Sequence, residues 1–97
     1  MTKSIGDRER RIIRLYCQLQ LAMTPREFYS KWDVTYEAIA EICWRSNSTV
    51  HGWFRQGKYQ RYPTANDMRH LAIMDFLLEN FEQLPPEFCR LLYPTEL

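Results

Sequence analysis

Apolar positions recur at helical spacing along most of this chain, and short polar turns divide them into blocks. From Asp7 to Met23, the residues Ile12, Tyr16, Leu19 and Met23 share one face, while Arg8, Arg10, Arg11 and Arg14 lie mostly off it, which predicts an amphipathic helix. Thr24-Pro25-Arg26-Glu27 then forms a capping box with proline at the first helical position, opening a short helix that carries Phe28, Tyr29 and Trp32. Thr64 and Asp67 repeat that logic after Pro63 and predict a longer helix to about Phe81. Met68, Leu71, Ala72, Ile73, Met74, Phe76, Leu77, Leu78 and Phe81 cover most of its circumference, so it needs burial on more than one side. Pro85 and Pro86 break it, and Glu87 to Tyr93 predict a last short helix with Phe88, Leu91 and Leu92 inward. Strand-like alternation, repeats and low-complexity tracts are absent from the sequence, so the expected fold class is all-α with five to six helices.

The most informative stretch is Thr35 to Phe54, which reads as two short helices around a tight turn. Thr35 is placed to N-cap a helix that buries Ile39, Ala40 and Cys43, and Ser46 to N-cap a second that buries Val50, Trp53 and Phe54. A small residue such as Ala40 lets the two cross closely. Packing then fixes the apolar positions and leaves Asn47, Ser48, His51, Gly52 and Arg55 facing outward, with the second helix ending at about Gln56 before Gly57. In a helix-turn-helix, that outward face enters the major groove of DNA.

Length and charge sharpen the picture. The 97 residues fit one domain, here divided as an N-terminal amphipathic helix (7–23), a helix-turn-helix core (24–82) and a C-terminal short helix and tail (83–97). Net charge is only +1, yet residues 45–70 hold Arg45, Arg55, Lys58, Arg61 and Arg69 against Asp67 alone. Residues 75–97 reverse this, with Asp75, Glu79, Glu82, Glu87 and Glu96 against Arg90. Such polarisation suits one face to meeting phosphates, with Arg45, Arg55, Lys58 and Arg61 as backbone anchors. Tyr59 and Tyr62, interleaved with these cations, either donate hydroxyls to phosphate or cover the edge of the core.

Other chemistry finds little support in the residues. Cys17, Cys43 and Cys89 are odd in number and widely spread, which argues for reduced thiols. Cys43, His51, His70 and Cys89 lack the close pairs of a structural zinc site, no Cys–His nucleophile signature stands out, and the three glycines are isolated. The expectation is a non-enzyme without metal or cofactor. With neither a bilayer-length apolar run nor a signal-like N-terminus, it is expected to be soluble and cytoplasmic, nucleoid-associated when bound.

From Thr24 to Leu78 these residues resemble the Cro/repressor, XRE-like helix-turn-helix family, and more closely the small helix-turn-helix proteins frequent in cyanobacteria. The resemblance rests on the Ala40 packing position, the Ser46 to Trp53 helix, Trp53 followed by Gly57-Lys58, and the Pro63-Thr64 start of a helix carrying Leu71-Ala72. It implies a lambda-repressor-like domain, with an added N-terminal helix, acting as a transcriptional regulator. Asn47, Ser48 and Gly52 occupy positions where this family reads base edges, and Ser46, Thr49 and Lys58 positions that touch phosphates. Three departures stand out. Trp44 sits at the usual turn glycine, so either the turn is shaped differently or packing compensates for a left-handed tryptophan. Arg45 replaces a usual apolar residue, which turns it outward towards phosphate. Gly52 offers no side chain and instead permits close approach to the sugar-phosphate chain.

The expected function is therefore sequence-specific reading of double-stranded DNA, by base contacts from Asn47, Ser48, His51 and Gly52 and phosphate contacts from Arg45, Ser46, Thr49, Arg55, Lys58, Tyr59 and Arg61, in a homodimer. Asn47 and Ser48 have a second reading as first-turn residues that satisfy free amides. His51 reads as a surface residue, or as an imidazole that aids phosphate binding when protonated. The alternative for the whole chain is an adaptor that keeps the helix-turn-helix shape and binds a protein through its apolar C-terminal half.

Overall fold

The computed structural model describes residues 2–18 and 20–92 of the chain. These form six α-helices, α1 (Asp7–Gln18), α2 (Pro25–Lys31), α3 (Tyr36–Cys43), α4 (Asn47–Phe54), α5 (Ala65–Glu79) and α6 (Pro86–Leu92), with 3₁₀ turns at Gly57–Tyr59 and Phe81–Gln83 and no strand among the described residues. The expectations for Leu19, for the Leu92 side chain and for the tail from Tyr93 lie outside the described residues.

Each core helix starts where a side chain satisfies its free amides. Thr24 Oγ1 accepts from the Glu27 amide at 3.1 Å while Glu27 Oε1 accepts from the Thr24 amide at 2.8 Å. Thr35 Oγ1 accepts from the Ala38 amide at 3.1 Å, and Ser46 Oγ from the Thr49 amide at 3.2 Å. Thr64 and Asp67 close the second complete box, at 3.1 and 2.8 Å.

Helices α2 to α5 enclose one core of Phe28, Ile39, Ala40, Cys43, Val50, Trp53 and Leu71. Ala40, 2% exposed, permits the close α3–α4 crossing, and Val50 and Trp53 seal the wedge between them. Phe28, Ile39, Val50 and Leu71 are wholly buried; each contributes roughly 1.5–3 kcal/mol of burial free energy. The half-buried Trp32 donates its indole N–H to Asp75 Oδ1 at 3.0 Å, and Lys31 Nζ reaches Asp75 at 2.8 Å and Glu79 at 2.7 Å, which latches α2 along α5.

The two ends depart from expectation. α1 stops at Gln18 rather than Met23, because the Met23 amide leaves helical pairing to donate to the Met68 carbonyl at 3.1 Å. None of its residues is buried; Ile12, Ile13, Leu15 and Tyr16 are all about half exposed or more. α5 buries only Asp67 and Leu71, and Phe76 and Phe81 stand 61% and 51% exposed, so burial on more than one side is not met among the described residues. Leu91, expected inward, is 72% exposed. The radius of gyration is 16.5 Å, against about 12.5 Å for a compact chain of this length. α1 buries no residue and meets α5 near its own C-terminal end, where the Arg69 guanidinium lies 5.6 Å over the Tyr16 ring.

Candidate nucleic-acid interface

The turn between α3 and α4 decides how α4 is presented. Trp44 adopts φ 60°, ψ 45°, the left-handed conformation, and its amide donates to Glu41 O at 3.3 Å while the Arg45 amide donates to Ala40 O at 2.9 Å. This is a Schellman closure. Trp44 thus holds the tight turn in a conformation normally given to glycine, and 88% of it lies in solvent, so packing does not compensate for the strain.

Beyond this turn, Ser46 both caps and crosslinks the first turn of α4, accepting from the Thr49 amide and donating to Thr49 Oγ1 at 2.9 Å. Asn47 and Ser48 stand exposed at that end of the helix. Asn47 has no side-chain hydrogen-bond partner among the described residues, and Ser48 has only Ser46 Oγ at 3.5 Å. Both are open to a ligand. Thr49 is half-buried and occupied by Ser46.

Gly52 is different from what the sequence implies. It is buried, and a β-carbon there would lie 2.8 Å from Cγ and Cδ of Arg61. Its carbonyl accepts from the Arg55 amide at 3.3 Å and from the Arg61 amide at 2.9 Å. The glycine is required because the chain after α4 folds back across it, so Gly52 faces its own loop and not a base edge. The same fold-back ends α4 at Phe54, short of the expected Gln56, and needs the left-handed Gly57 at φ 81°.

Arg45 also departs from expectation. Its Nε and Nη2 donate to Asp67 Oδ1 and Oδ2 at 2.9 and 3.1 Å, so the guanidinium is engaged with α5 rather than turned out to a phosphate. Burial opposes ionisation of Asp67, but hydrogen bonds from Arg45 and from the Thr64 amide and hydroxyl outweigh it and hold the carboxyl below the usual range. Arg55, Lys58 and Arg61 are exposed, and none is ion-paired among the described residues. Lys58 Nζ lies 5.6 Å over the Tyr59 ring. Tyr59 and Tyr62 are 66% and 75% exposed, which removes the reading that they cover the core edge.

His51 is half-buried, with Nε2 3.5 Å from Glu37 Oε2 and its ring edge-on to Tyr36 at 5.0 Å. It belongs to a cluster that the sequence reading did not assemble. Tyr36 stacks on Phe54 at 4.2 Å, Tyr29 tilts against both, and the Arg26 guanidinium sits 5.7 Å over the Phe54 ring. The signal was available in outline: Tyr36 begins one helix and Phe54 ends the next, the two ends that the α3–α4 crossing brings together.

Cys43 Sγ donates to the Asp67 carbonyl at 3.7 Å, and burial pushes its thiol up to about 11. Among the described residues no three His, Cys, Asp or Glu converge as metal ligands, and no helix is long and apolar enough to cross a membrane. Comparison with protein-family models, curated proteins and solved structures finds no match to this chain.

Proposed function

We propose that this chain is a sequence-specific double-stranded DNA-binding regulator that reads the major groove with α4 and pairs with a second copy. The observation that carries the reading is the division of labour on α4. Val50, Gly52 and Trp53 are buried, while Asn47 and Ser48 are exposed and open at its start and Arg55, Lys58 and Arg61 lie exposed beyond its end with no ion pair among the described residues. Amide and hydroxyl groups match the donors and acceptors of base edges, and the cations beyond the end of the helix match the phosphate backbone. Arg45 and Gly52 drop out of the contact set, since one is engaged with Asp67 and the other with its own loop. Ser46, Thr49 and His51 border it.

The test is duplex selection from a random library, followed by a salt titration on the selected site. DNA binding weakens steeply with salt as counterions compete, whereas an apolar protein interface changes little. The adaptor reading is favoured by the exposed Trp44, Phe76, Phe81 and Leu91. A chain that enriches no duplex and shows no salt-dependent duplex binding is that adaptor.

A further inference from the structure

Between the start of α2, the loop that precedes α5 and Met68 of α5 lies an open hollow of about 360 Å³, the size of a small-molecule site. Pro25, Trp53, Pro63 and Met68 give it apolar walls, and Tyr62, 75% exposed, adds its ring. Arg26 and Arg61 join the lining from two separate elements, and no acidic residue does. Both arginines are exposed, and neither is ion-paired among the described residues. The neighbouring carboxylates are already engaged, Glu27 with the Thr24 amide at 2.8 Å and Asp67 with Arg45 and the Thr64 amide. Backbone hydrogen bonds hold the hollow in shape. The Met23 amide donates to the Met68 carbonyl at 3.1 Å, which pins the approach to α2 on α5, and the Arg61 amide donates to the Gly52 carbonyl at 2.9 Å, which pins the loop on α4.

We infer that this hollow binds a small organic anion, a carboxylate carried on a flat apolar body, with the body against Trp53, Pro63 and Met68 and the carboxylate on Arg26 and Arg61. Charge selects the occupant. Two guanidiniums with no acid among the lining residues repel a cation, whereas a carboxylate accepts paired N–H donors from a guanidinium. The apolar walls set the rest, because a bare inorganic anion buries no apolar surface against them. Both arginines are steadied in advance, since the Arg26 guanidinium lies 5.7 Å over the Phe54 ring and the Arg61 stem packs on Gly52. Arg61 is also one of the cations proposed above to hold the duplex, so an occupied hollow engages it away from phosphate. The site itself rests on no DNA contact, and its test contains no DNA, so its failure leaves duplex binding to stand or fall separately.

The experiment titrates the full, isotopically labelled chain with phenylacetate, with its uncharged counterpart phenylacetamide and with acetate, following amide and indole N–H signals by nuclear magnetic resonance. Phenylacetate should shift the Arg26, Gln60, Arg61 and Tyr62 amides and the Trp53 indole together and saturably, and should bind at least about 10-fold more tightly than either other probe. Arg26→Met and Arg61→Met keep an apolar stem and remove the charge. Each should weaken phenylacetate at least about 5-fold while signals away from the hollow stay in place. The probe comparison is made on the wild type, so it decides the matter even where a variant fails to fold. Equal binding of phenylacetamide would leave only an apolar cleft, and equal binding of acetate an adventitious ion only. Either result overturns the proposal, as does the absence of a saturable shift at these residues with millimolar phenylacetate.

Discussion

Arg45 and Asp67 lie 22 positions apart and form a forked pair in which two nitrogens of one side chain meet both carboxylate oxygens of the other, at 2.9 and 3.1 Å. Asp67 is simultaneously the third residue of the α5 capping box. The residue after the helix-turn-helix turn is therefore tied to the start of the helix that backs it, and a single buried carboxylate serves both.

Replacing Asp67 with alanine should lower stability by about 3–5 kcal/mol, because it removes the cap and leaves Arg45 without its partner. Arg45→Ala should cost less, since its own side chain is 40% exposed and water takes over part of what Asp67 supplies. Chemical denaturation of both single variants and the double variant checks this, with strong non-additivity as the expected outcome.

The same pair sets an acid limit. The folded carboxyl of Asp67 is held below its unfolded value, so its contribution is fully present above the ordinary aspartate range and fades as pH falls through the lower folded value. Stability measured from neutral pH downward should fall there in the wild type, and Asp67→Asn should flatten that part of the profile.

For base reading, Asn47→Ala and Ser48→Ala should each lose roughly 1–3 kcal/mol on the selected site and little on scrambled duplex. Equal losses on both duplexes would assign these side chains to capping or to phosphate.

Lys58→Ala and Arg55→Ala should weaken all duplexes alike and reduce the salt slope by about one charge each. Arg45→Ala should leave the slope unchanged, which is the direct consequence of its engagement with Asp67. A shallower slope in Arg45→Ala would return that residue to the backbone contacts.

Gly52→Ala should destabilise by about 1–3 kcal/mol through overlap with Arg61. Combining it with Arg61→Gly should recover part of the loss, because the atoms 2.8 and 3.1 Å away are then gone. Thermal unfolding of the two single variants and the pair measures the coupling.

The helices themselves were legible from local rules. Threonine and serine caps, the two boxes and the Ala40 crossing depend on residues within one or two turns, and the structure has them where those rules put them. Arg45 and Gly52 were not legible, for a shared reason. Arg45 is decided by Asp67 on a later helix and Gly52 by a loop that folds back, whereas Trp44 was marked by its turn position and only its exposure was not. At the ends, periodicity identified apolar faces at α1 and α5 but said nothing of what covers them, since an amphipathic pattern specifies a face and no partner.

The double acceptance at the Gly52 carbonyl, from Arg55 and from Arg61, joins the cationic loop to the middle of α4 through the backbone itself. On the proposed reading, the side chains that grip phosphate and those that read bases are one preorganised piece, so docking orders little and loses little conformational entropy. A carbonyl with no side chain of its own thus makes orientation on the backbone and registration with the bases a single event.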